Sequence, residues 1–288
     1  DLHLSIRRQR QMCIRGRDIC MDEILELNHI HKYFEQGTVN ETHALKGIDL
    51  TLADGDFVTI IGGNGAGKST LMNTISGAYR PEEGQIKISG QDVTKWSTHK
   101  RAKLVSYVFQ DTRMGTAGRL TIEENMALAN KRGMTRSLSK GVKAKDRDLM
   151  RDQLSRLGLG LEDRLTTDMA FLSGGQRQAV TLLMASLKRP DLLLLDEHTA
   201  ALDPKTSDMV LKITQEMIED NGLTTLMITH NMQQALSMGN RLIMLHQGRI
   251  ILDLDQEQKK GMSVKDLMEV FHQAAGEDLV SDEMLLST

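Results

Sequence analysis

One glycine-rich segment constrains the fold more than any other part of the chain. It runs from Gly62 to Thr70 with the sequence GGNGAGKST, between the apolar run 57–61 and the periodic segment 71–75. Its spacing, G-x-x-x-x-G-K-S, is typical of a phosphate-binding loop that joins a buried strand to a helix. The glycines let successive backbone N–H groups approach an anion at the positive end of that helix. The segment therefore predicts strand, phosphate loop and helix, within an α/β nucleotide-binding core.

The residues of this loop predict how a nucleotide is held. Its backbone is expected to surround the phosphates, and the residues concerned are Gly62, Gly63, Asn64, Gly65, Ala66, Gly67, Lys68, Ser69 and Thr70. Lys68 is expected to reach the β- and γ-phosphates of a bound triphosphate, and the Ser69 hydroxyl to bind Mg²⁺. The Thr70 hydroxyl can contact the α-phosphate. A glycine-rich turn that only caps a helix is the alternative, and the strand before the loop argues against it.

Two acids at the end of a leucine run form the second strong signal. Leu192 to Leu195 are followed directly by Asp196 and Glu197. Such a run is typical of a central parallel strand, whose carboxyl end delivers side chains to a ligand site. Asp196 is expected to hold Mg²⁺ through its water shell, and Glu197 to orient and deprotonate the attacking water. A purely structural role is hard to support, because unpaired charge at the end of a buried strand is costly.

Further polar residues stand next to predicted strands and helices. Gln110 follows the apolar strand 104–109, and His230 follows the apolar run 225–229. Open α/β sheets place ligand contacts at this edge, so both are site candidates. A single histidine at a strand end is more often structural, but the neighbouring phosphate loop favours a functional role here. Asp203 precedes a helix that is expected to start at Pro204.

The pentapeptide Leu172 to Gln176, LSGGQ, opens another predicted helix. A serine cap followed by two glycines offers a second set of N–H donors to an anion. The residues concerned are Ser173, Gly174, Gly175 and Gln176. From these residues alone, an ordinary helix N-cap is an equally good explanation.

Two aromatic residues precede the phosphate loop in a chain that is poor in aromatics, which make up 3% of its residues. Tyr33 and Phe34 are adjacent, and an aromatic ring in this place can serve as a platform for a purine. A core aromatic is the alternative for either residue taken alone.

Composition excludes several classes of protein. With 288 residues and a formal net charge of −3, the chain lacks the basic character of a protein whose whole surface binds nucleic acid. Cys13 and Cys20 are the only cysteines, so no disulfide framework is expected and a reducing, cytoplasmic setting is favoured. The longest apolar runs, such as 192–195, are far too short to cross a bilayer. We expect neither a membrane span nor a nucleic-acid partner.

The chain is expected to divide into three regions. Residues 1–20 are rich in arginine and lack an apolar stretch, so they are expected to be disordered, or an artefact upstream of a natural start at Met21. A basic arm for anionic lipid headgroups is the alternative. Residues 21–260 form the nucleotide-binding domain, with a helical subdomain inserted at about 113–175, where Thr121 and Glu124 predict a capping box. Residues 261–288 form a short amphipathic helix and an acidic tail that starts at Glu277.

Taken in order and at their spacings, these motifs resemble the nucleotide-binding subunit of an ABC transporter. The resemblance covers residues 24 to about 255, and the LSGGQ sequence makes it specific. It implies a P-loop NTPase α/β core with an antiparallel β subdomain and the inserted α-helical subdomain. It also implies a head-to-tail dimer, from two identical or paralogous chains, with two ATP molecules and Mg²⁺ at the interface. Each ATP is then held by the phosphate loop of one chain and by Ser173 to Gln176 of the other.

The resemblance also implies a role for each matching position. Phe34 is expected to stack on adenine, with Tyr33 as the second choice. Gln110 is expected to contact Mg²⁺ and the attacking water, and to relay site occupancy through the helical subdomain. Glu197 is then the general base. Asp203 couples the two sites across the dimer, and His230 contacts the γ-phosphate.

A single nucleotide-binding domain without membrane spans resembles bacterial importer ATPases more than fused exporters. This implies a separate integral membrane permease, an extracytoplasmic solute-binding protein as an indirect partner, and a peripheral position on the cytoplasmic face of the membrane. The segment Met114 to Ala117 and His198 resemble a subgroup that takes up amino-acid-like or aromatic solutes.

One position departs from the family pattern. The family commonly has proline after the catalytic glutamate, and this chain has His198. Replacing proline frees a backbone N–H and relaxes the loop, which can shift Glu197 slightly. We expect ATP hydrolysis to be retained. We expect His198 to contact residues around Glu197 rather than the nucleotide itself.

Two other classes compete with a transporter subunit. A soluble ABC ATPase that acts on nucleic acid, ribosomes or cofactor assembly usually shows duplicated domains, coiled-coil insertions or basic patches, and none is evident in the sequence. A small P-loop kinase or GTPase explains residues 62–69 but leaves LSGGQ and His230 without a role.

Overall fold

The computed structural model describes residues 23–134, 142 and 144–275. The strands are β1 (Glu23–Phe34), β2 (Thr42–Ala53), β3 (Phe57–Ile61), β4 (Glu83–Ile88), β5 (Gln91–Asp92), β6 (Val105–Val108), β7 (Leu192–Asp196), β8 (Thr225–Ile228), β9 (Arg241–His246) and β10 (Arg249–Leu254). The helices are α1 (Lys68–Ser76), α2 (Thr98–Arg101), α3 (Ile122–Asn130), α4 (Ala144–Ser155), α5 (Gly174–Ser186), α6 (Pro204–Asn221), α7 (Met232–Ser237), α8 (Gln256–Lys259) and α9 (Val264–Ala275). The arginine-rich segment 1–20 and the acidic tail from Glu277 lie outside the described residues.

A six-stranded sheet carries the nucleotide-binding motifs. Its order is β10-β9-β3-β8-β7-β6, and all its neighbouring pairs are parallel except β10 with β9. Every residue of β3 and β8 is buried, as are Leu192 to Leu195 of β7. These strands are almost entirely apolar, with Thr59 in β3 and Thr225 in β8 as exceptions, because other elements cover both faces of the sheet. The carboxyl ends of β3, β7 and β8 therefore meet at one edge.

A second, antiparallel sheet has the order β2-β1-β4-β5. Leu25 and Leu27 of β1 point inward with a period of two, and the strand then bulges near His29, whose φ is 53°. The extra residue brings Ile30 back to the buried face. Side chains of both sheets and of α1 share one hydrophobic cluster, which includes Ile30, Leu71 and Leu194. The antiparallel sheet thus packs over the helix that follows the phosphate loop.

The carboxyl end of α1 is fixed by a buried arginine. Arg101 is fully buried, and its Nη1 donates to the carbonyl oxygens of Thr74 and Ile75, at 2.7 Å each. Helix ends leave such carbonyls without partners inside the helix, and a cation there interacts favourably with the helix dipole. Arg101 therefore holds the helix that presents the phosphate loop.

The helical segment lies between β6 and β7, as the sequence predicts. Met126 of α3 and Leu154 of α4 share a separate hydrophobic cluster with Leu161, which follows α4, and with Val180 and Leu183 of α5. The predicted capping box is present: Thr121 accepts from the Glu124 N–H, and the Glu124 side chain accepts from the Thr121 N–H. The predicted fold class, a P-loop α/β core with antiparallel and helical subdomains, is confirmed.

The predicted C-terminal helix is also present, since α9 packs Leu267 and Phe271 against the β9–β10 hairpin. Within the ranges that the structure covers, no helix is both long and apolar enough to pass through a bilayer.

Candidate functional site

The predicted phosphate loop joins β3 to α1. Gly67 is the N-cap of α1 and has a φ of 102°, a conformation that glycine adopts readily. A Cβ atom at Gly67 would lie 2.8 Å from the Ala44 carbonyl oxygen, and one at Gly62 would lie 2.3 Å from the Leu245 carbonyl oxygen. Both glycines are therefore required by the close approach of neighbouring backbone. The loop presents the N-terminal N–H groups of α1, as anion binding requires.

The side chain of Lys68 turns back against this loop. Its Nζ donates to the carbonyl oxygens of Gly62 at 2.8 Å and Gly63 at 3.2 Å. Burial lowers the pKa of Lys68, and the nearby carboxylates of Glu197 and Asp196 partly offset that effect. The structure thus brings together a lysine of the phosphate loop and the two acids at the end of β7.

Asp196 ends β7 and is bound by a residue that the sequence analysis missed. The Tyr107 hydroxyl, on neighbouring strand β6, donates to Asp196 Oδ2 at 2.7 Å. Burial raises the pKa of Asp196, whereas this hydrogen bond and the charge of Lys68 lower it. Burial also raises the pKa of Tyr107, so the hydroxyl keeps its proton and remains a donor. Only the pairing of β6 with β7 reveals this contact, since the two residues are far apart in the chain.

Glu197 and His230 meet at the carboxyl ends of β7 and β8. Glu197 Oε1 lies 3.0 Å from His230 Nδ1, and their side chains are 13% and 50% exposed. Glu197 has a φ of 46°, which is uncommon for a residue with a side chain. Its N–H donates to the Ile228 carbonyl oxygen at 3.1 Å, and this bond ties the residue to β8. A partly shielded carboxylate therefore stands beside an imidazole that is open to solvent.

The remaining polar candidates lie at other strand and helix ends. Gln110 is exposed and follows β6 by two residues. Asp203 is the N-cap of α6, as expected from Pro204, and its Oδ1 accepts from the Thr206 N–H at 3.1 Å. The structure brings neither of them into a described contact with Lys68, Asp196 or Glu197.

The LSGGQ segment forms the amino end of α5. Ser173 Oγ accepts from the Gln176 N–H, and Gln176 Oε1 accepts from the Ser173 N–H, both at 3.2 Å. This is a capping box, so the N-cap interpretation is realised in this structure. A Cβ atom at Gly175 would lie 2.1 Å from Thr206 Cγ2 on α6. The glycine therefore allows α5 to approach α6, while Ser173 and Gly174 remain exposed.

Tyr33 and Phe34 point to opposite faces of β1, as successive strand residues do. Tyr33 stacks on His43, with ring centroids 4.0 Å apart and an interplanar angle of 13°. Phe34 meets the edge of Tyr79, which follows α1, at a centroid distance of 5.2 Å. The ring of Phe34 is thus on the side of the strand that faces the phosphate-loop helix, and the ring of Tyr33 is already covered by an imidazole.

The donor atoms of the site suit a magnesium ion that is bound together with phosphate. Ser69 and Asp196 supply hydroxyl and carboxylate oxygens, the ligands that Mg²⁺ prefers. Among the residues described, no group of three or more His, Cys, Asp or Glu side chains is arranged to hold a metal by itself. Mg²⁺ typically uses one or two protein ligands and completes its shell with water and phosphate oxygens. The residues present fit that pattern.

Together, three strand ends assemble a cation, two carboxylates and an imidazole beside a helix N-terminus. Lys68 and the loop N–H groups can bind a phosphoryl group, and Glu197 can accept a proton from water. These are the chemical groups that hydrolysis of a phosphoanhydride bond requires.

Sequence comparisons agree with this chemistry. A family model described as "ABC transporter" matches residues 45–200. The tyrosine transport ATP-binding protein of Clostridioides difficile is 41% identical over 251 residues, which span 87% of this chain and 100% of that protein. The lipoprotein-releasing system ATP-binding protein LolD 1 of Caulobacter vibrioides is 37% identical over 232 residues, which span 80% of this chain and 95% of that protein.

A solved structure resembles the fold closely. The ATP-binding cassette MJ0796, in a dimeric post-hydrolysis state with ADP and phosphate, matches with a TM-score of 0.68 and 29% sequence identity. The match covers 81% of this chain and 99% of that one.

Proposed function

The chain belongs to the ABC transporter family as an ATP-hydrolysing subunit, and from this premise we propose that it powers uptake of an amino-acid-like solute through a separate membrane permease. The observation that carries the hydrolytic part is the carboxylate of Glu197, 3.0 Å from His230 and close enough to Lys68 to influence its pKa. The solute class is supported by the likeness to a tyrosine transport protein over that protein's full length.

In the proposed reaction, Lys68 leaves the carbonyl oxygens of Gly62 and Gly63 and donates to the β- and γ-phosphates. Glu197 orients a water molecule and accepts its proton as the water oxygen bonds to the γ-phosphorus. The bond from the γ-phosphorus to the β–γ bridging oxygen breaks, and ADP leaves with that electron pair. His230, whose Nδ1 lies 3.0 Å from Glu197 Oε1, holds the carboxylate and contacts the γ-phosphate. Phe34 stacks on the adenine, a role that its position on the α1 side of the strand supports better than that of Tyr33.

We propose that Ser69, Asp196 and Gln110 serve the Mg²⁺ that accompanies ATP. When bound, Mg²⁺ neutralises charge on the β- and γ-phosphate oxygens. Tyr107 keeps the Asp196 carboxylate in one orientation, because its hydroxyl is a fixed donor to Oδ2. A cation near Asp196 also offsets the effect of burial, which disfavours the charged carboxylate.

The working form is proposed to be a head-to-tail dimer of this chain with itself or with a paralogue. Ser173 to Gln176 would then face the nucleotide on the phosphate loop of the partner, and Asp203 would lie near the dimer interface. The exposure of Ser173 and Gly174 and the dimeric state of the related cassette support this arrangement. Residues 21–260 are proposed to be the ATPase domain, with its helical subdomain at about 113–175.

The permease is proposed to hold this chain at the cytoplasmic face of the membrane, and a solute-binding protein is an indirect partner. A second candidate function is lipoprotein release, which the likeness to the lipoprotein-releasing system protein LolD 1 favours. A soluble ABC ATPase without a permease is the remaining alternative.

A tagged chain isolated from its native cell in mild detergent distinguishes these functions, with partners identified by mass spectrometry. We expect a polytopic permease to co-purify, and cells that carry only Glu197→Gln to lose uptake of a labelled amino acid while retaining normal lipoprotein release. Loss of lipoprotein release with normal uptake would favour the second function. Ribosomes or soluble partners alone would contradict a transport role.

A further inference from the structure

His198 is buried behind the turn that follows Glu197. The Glu197 carbonyl oxygen accepts from the Ala200 N–H at 2.9 Å, so residues 197–200 form a tight turn with His198 at its second position. His198 is 2% exposed, and its Nε2 lies 3.0 Å from the Thr214 hydroxyl in the middle of α6. The imidazole therefore connects the turn to the interior of a long helix.

The direction of this hydrogen bond follows from the partners of Thr214. A hydroxyl has one proton to donate, and Thr214 Oγ1 donates it to the Val210 carbonyl oxygen at 2.8 Å. Toward His198 the hydroxyl must therefore accept, which assigns the proton to Nε2 of the imidazole. Burial lowers the pKa of His198 to about 4, so the ring is neutral near pH 7. His198 is thus a fixed, uncharged donor.

The backbone of Glu197 needs support of this kind. Its φ of 46° is sparsely populated by residues other than glycine and persists only where the surroundings impose it. A cavity of about 180 Å³, lined among others by Glu197, Ser207 and His230, lies against the turn. His198, Thr199 and Ala200 of the turn also line this cavity, and hydrogen bonds contribute to holding the turn in place.

We propose that His198 is a positioning residue for Glu197. Its hydrogen bond to Thr214 anchors the turn 197–200 to α6 and thereby keeps the Glu197 carboxylate beside His230. In this chain a side-chain anchor replaces the stiffness that proline gives the turn at this position elsewhere in the family. The inference rests on the proposed role of Glu197 as general base.

The test compares variants that remove or keep the hydrogen bond. Thr214→Val and His198→Leu remove one partner each and preserve most of the volume. Thr214→Ser keeps the hydroxyl, and His198→Gln keeps an N–H donor near the position of Nε2. We expect the two variants that remove the hydrogen bond to lower kcat for ATP hydrolysis about tenfold with little change in KM. The two variants that keep the hydrogen bond should retain most of kcat. Rates are expressed per bound nucleotide, so that misfolded protein does not enter the comparison.

A double-mutant comparison separates positioning from general damage. In a Glu197→Gln background the single-turnover rate should no longer respond to Thr214→Val, because the group that is positioned is absent. An equal loss in both backgrounds would overturn the inference, as would wild-type kcat in both removing variants. A different result would contradict the proposed function, namely ATP hydrolysis at the wild-type rate by Glu197→Gln alone.

Discussion

Glu197 Oε1 and His230 Nδ1 lie 3.0 Å apart, although the two residues follow different strands of the sheet. The parallel pairing of β7 with β8 produces this contact, because it sets Asp196 opposite Ile228 and brings the next residues of both strands to one edge. An acid and an imidazole thus share the place where the γ-phosphate of ATP is expected.

The first prediction concerns His230→Ala. Glu197 loses the imidazole that lies 3.0 Å from its carboxylate, so we expect kcat to fall by about 10- to 100-fold while ATP still binds. Phosphate release and titration with a fluorescent ATP analogue measure the two effects. The exposed His99 offers a matched control, because His99→Ala should leave both unchanged. An unchanged kcat in His230→Ala would contradict the proposed contact with the transition state.

Lys68→Ala should weaken the binding of ATP, not only its hydrolysis. Its ammonium group is expected to exchange two carbonyl oxygens for phosphate oxygens, and charge-assisted hydrogen bonds contribute about 1.5–3 kcal/mol each. We expect the Kd for ATP to rise by about a hundredfold in equilibrium titration. Lys212→Ala, on the exposed face of α6, is the control. Equal Kd values for both variants would exclude Lys68 from the phosphate site.

Gly175→Ala tests the close approach of α5 to α6. The new methyl carbon would meet Thr206 Cγ2, so overpacking is expected to destabilise the fold by about 1–3 kcal/mol in urea unfolding. Thr206→Ser removes that methyl group, and the double variant should recover most of the loss. If Thr206→Ser fails to rescue Gly175→Ala, the strain has another source.

Acid should destabilise the fold partly through His198. The pKa of this residue is about 4 in the folded chain, below the value of 6.5 expected when it is unfolded. The unfolded state therefore binds a proton first as the pH falls, and stability is lost between about pH 6.5 and 4, by about 3 kcal/mol in all. His198→Leu should show a shallower decline over this window in urea unfolding. An identical pH dependence of both proteins would contradict a buried neutral imidazole.

Residues whose chemistry depends on local spacing could be predicted from the sequence. The phosphate loop, the acids after the leucine run and the helix start at Ser173 are each defined by a few neighbouring residues, and the predicted strand, loop and caps are found there. The predicted roles of these residues toward ATP stay predictions.

Contacts that depend on register or packing could not be predicted. Tyr107 reaches Asp196 only because β6 pairs with β7, and Thr214 reaches His198 only because α6 packs behind the turn. The contact of Phe34 with Tyr79 likewise depends on packing, because Tyr79 follows α1 and lies across the fold from β1. In each case the missing information is the partner across the fold, which no local pattern encodes.

The most direct test of the account is ATP hydrolysis by Glu197→Gln. We expect phosphate release to fall by about a hundredfold or more, because the base is lost, while ATP binding persists and an ATP-dependent dimer accumulates on gel filtration. Glu216→Gln makes the same chemical change on the exposed face of α6 and should behave like the wild type. Hydrolysis at the wild-type rate in Glu197→Gln would contradict the assignment of the base and, with it, the proposed mechanism.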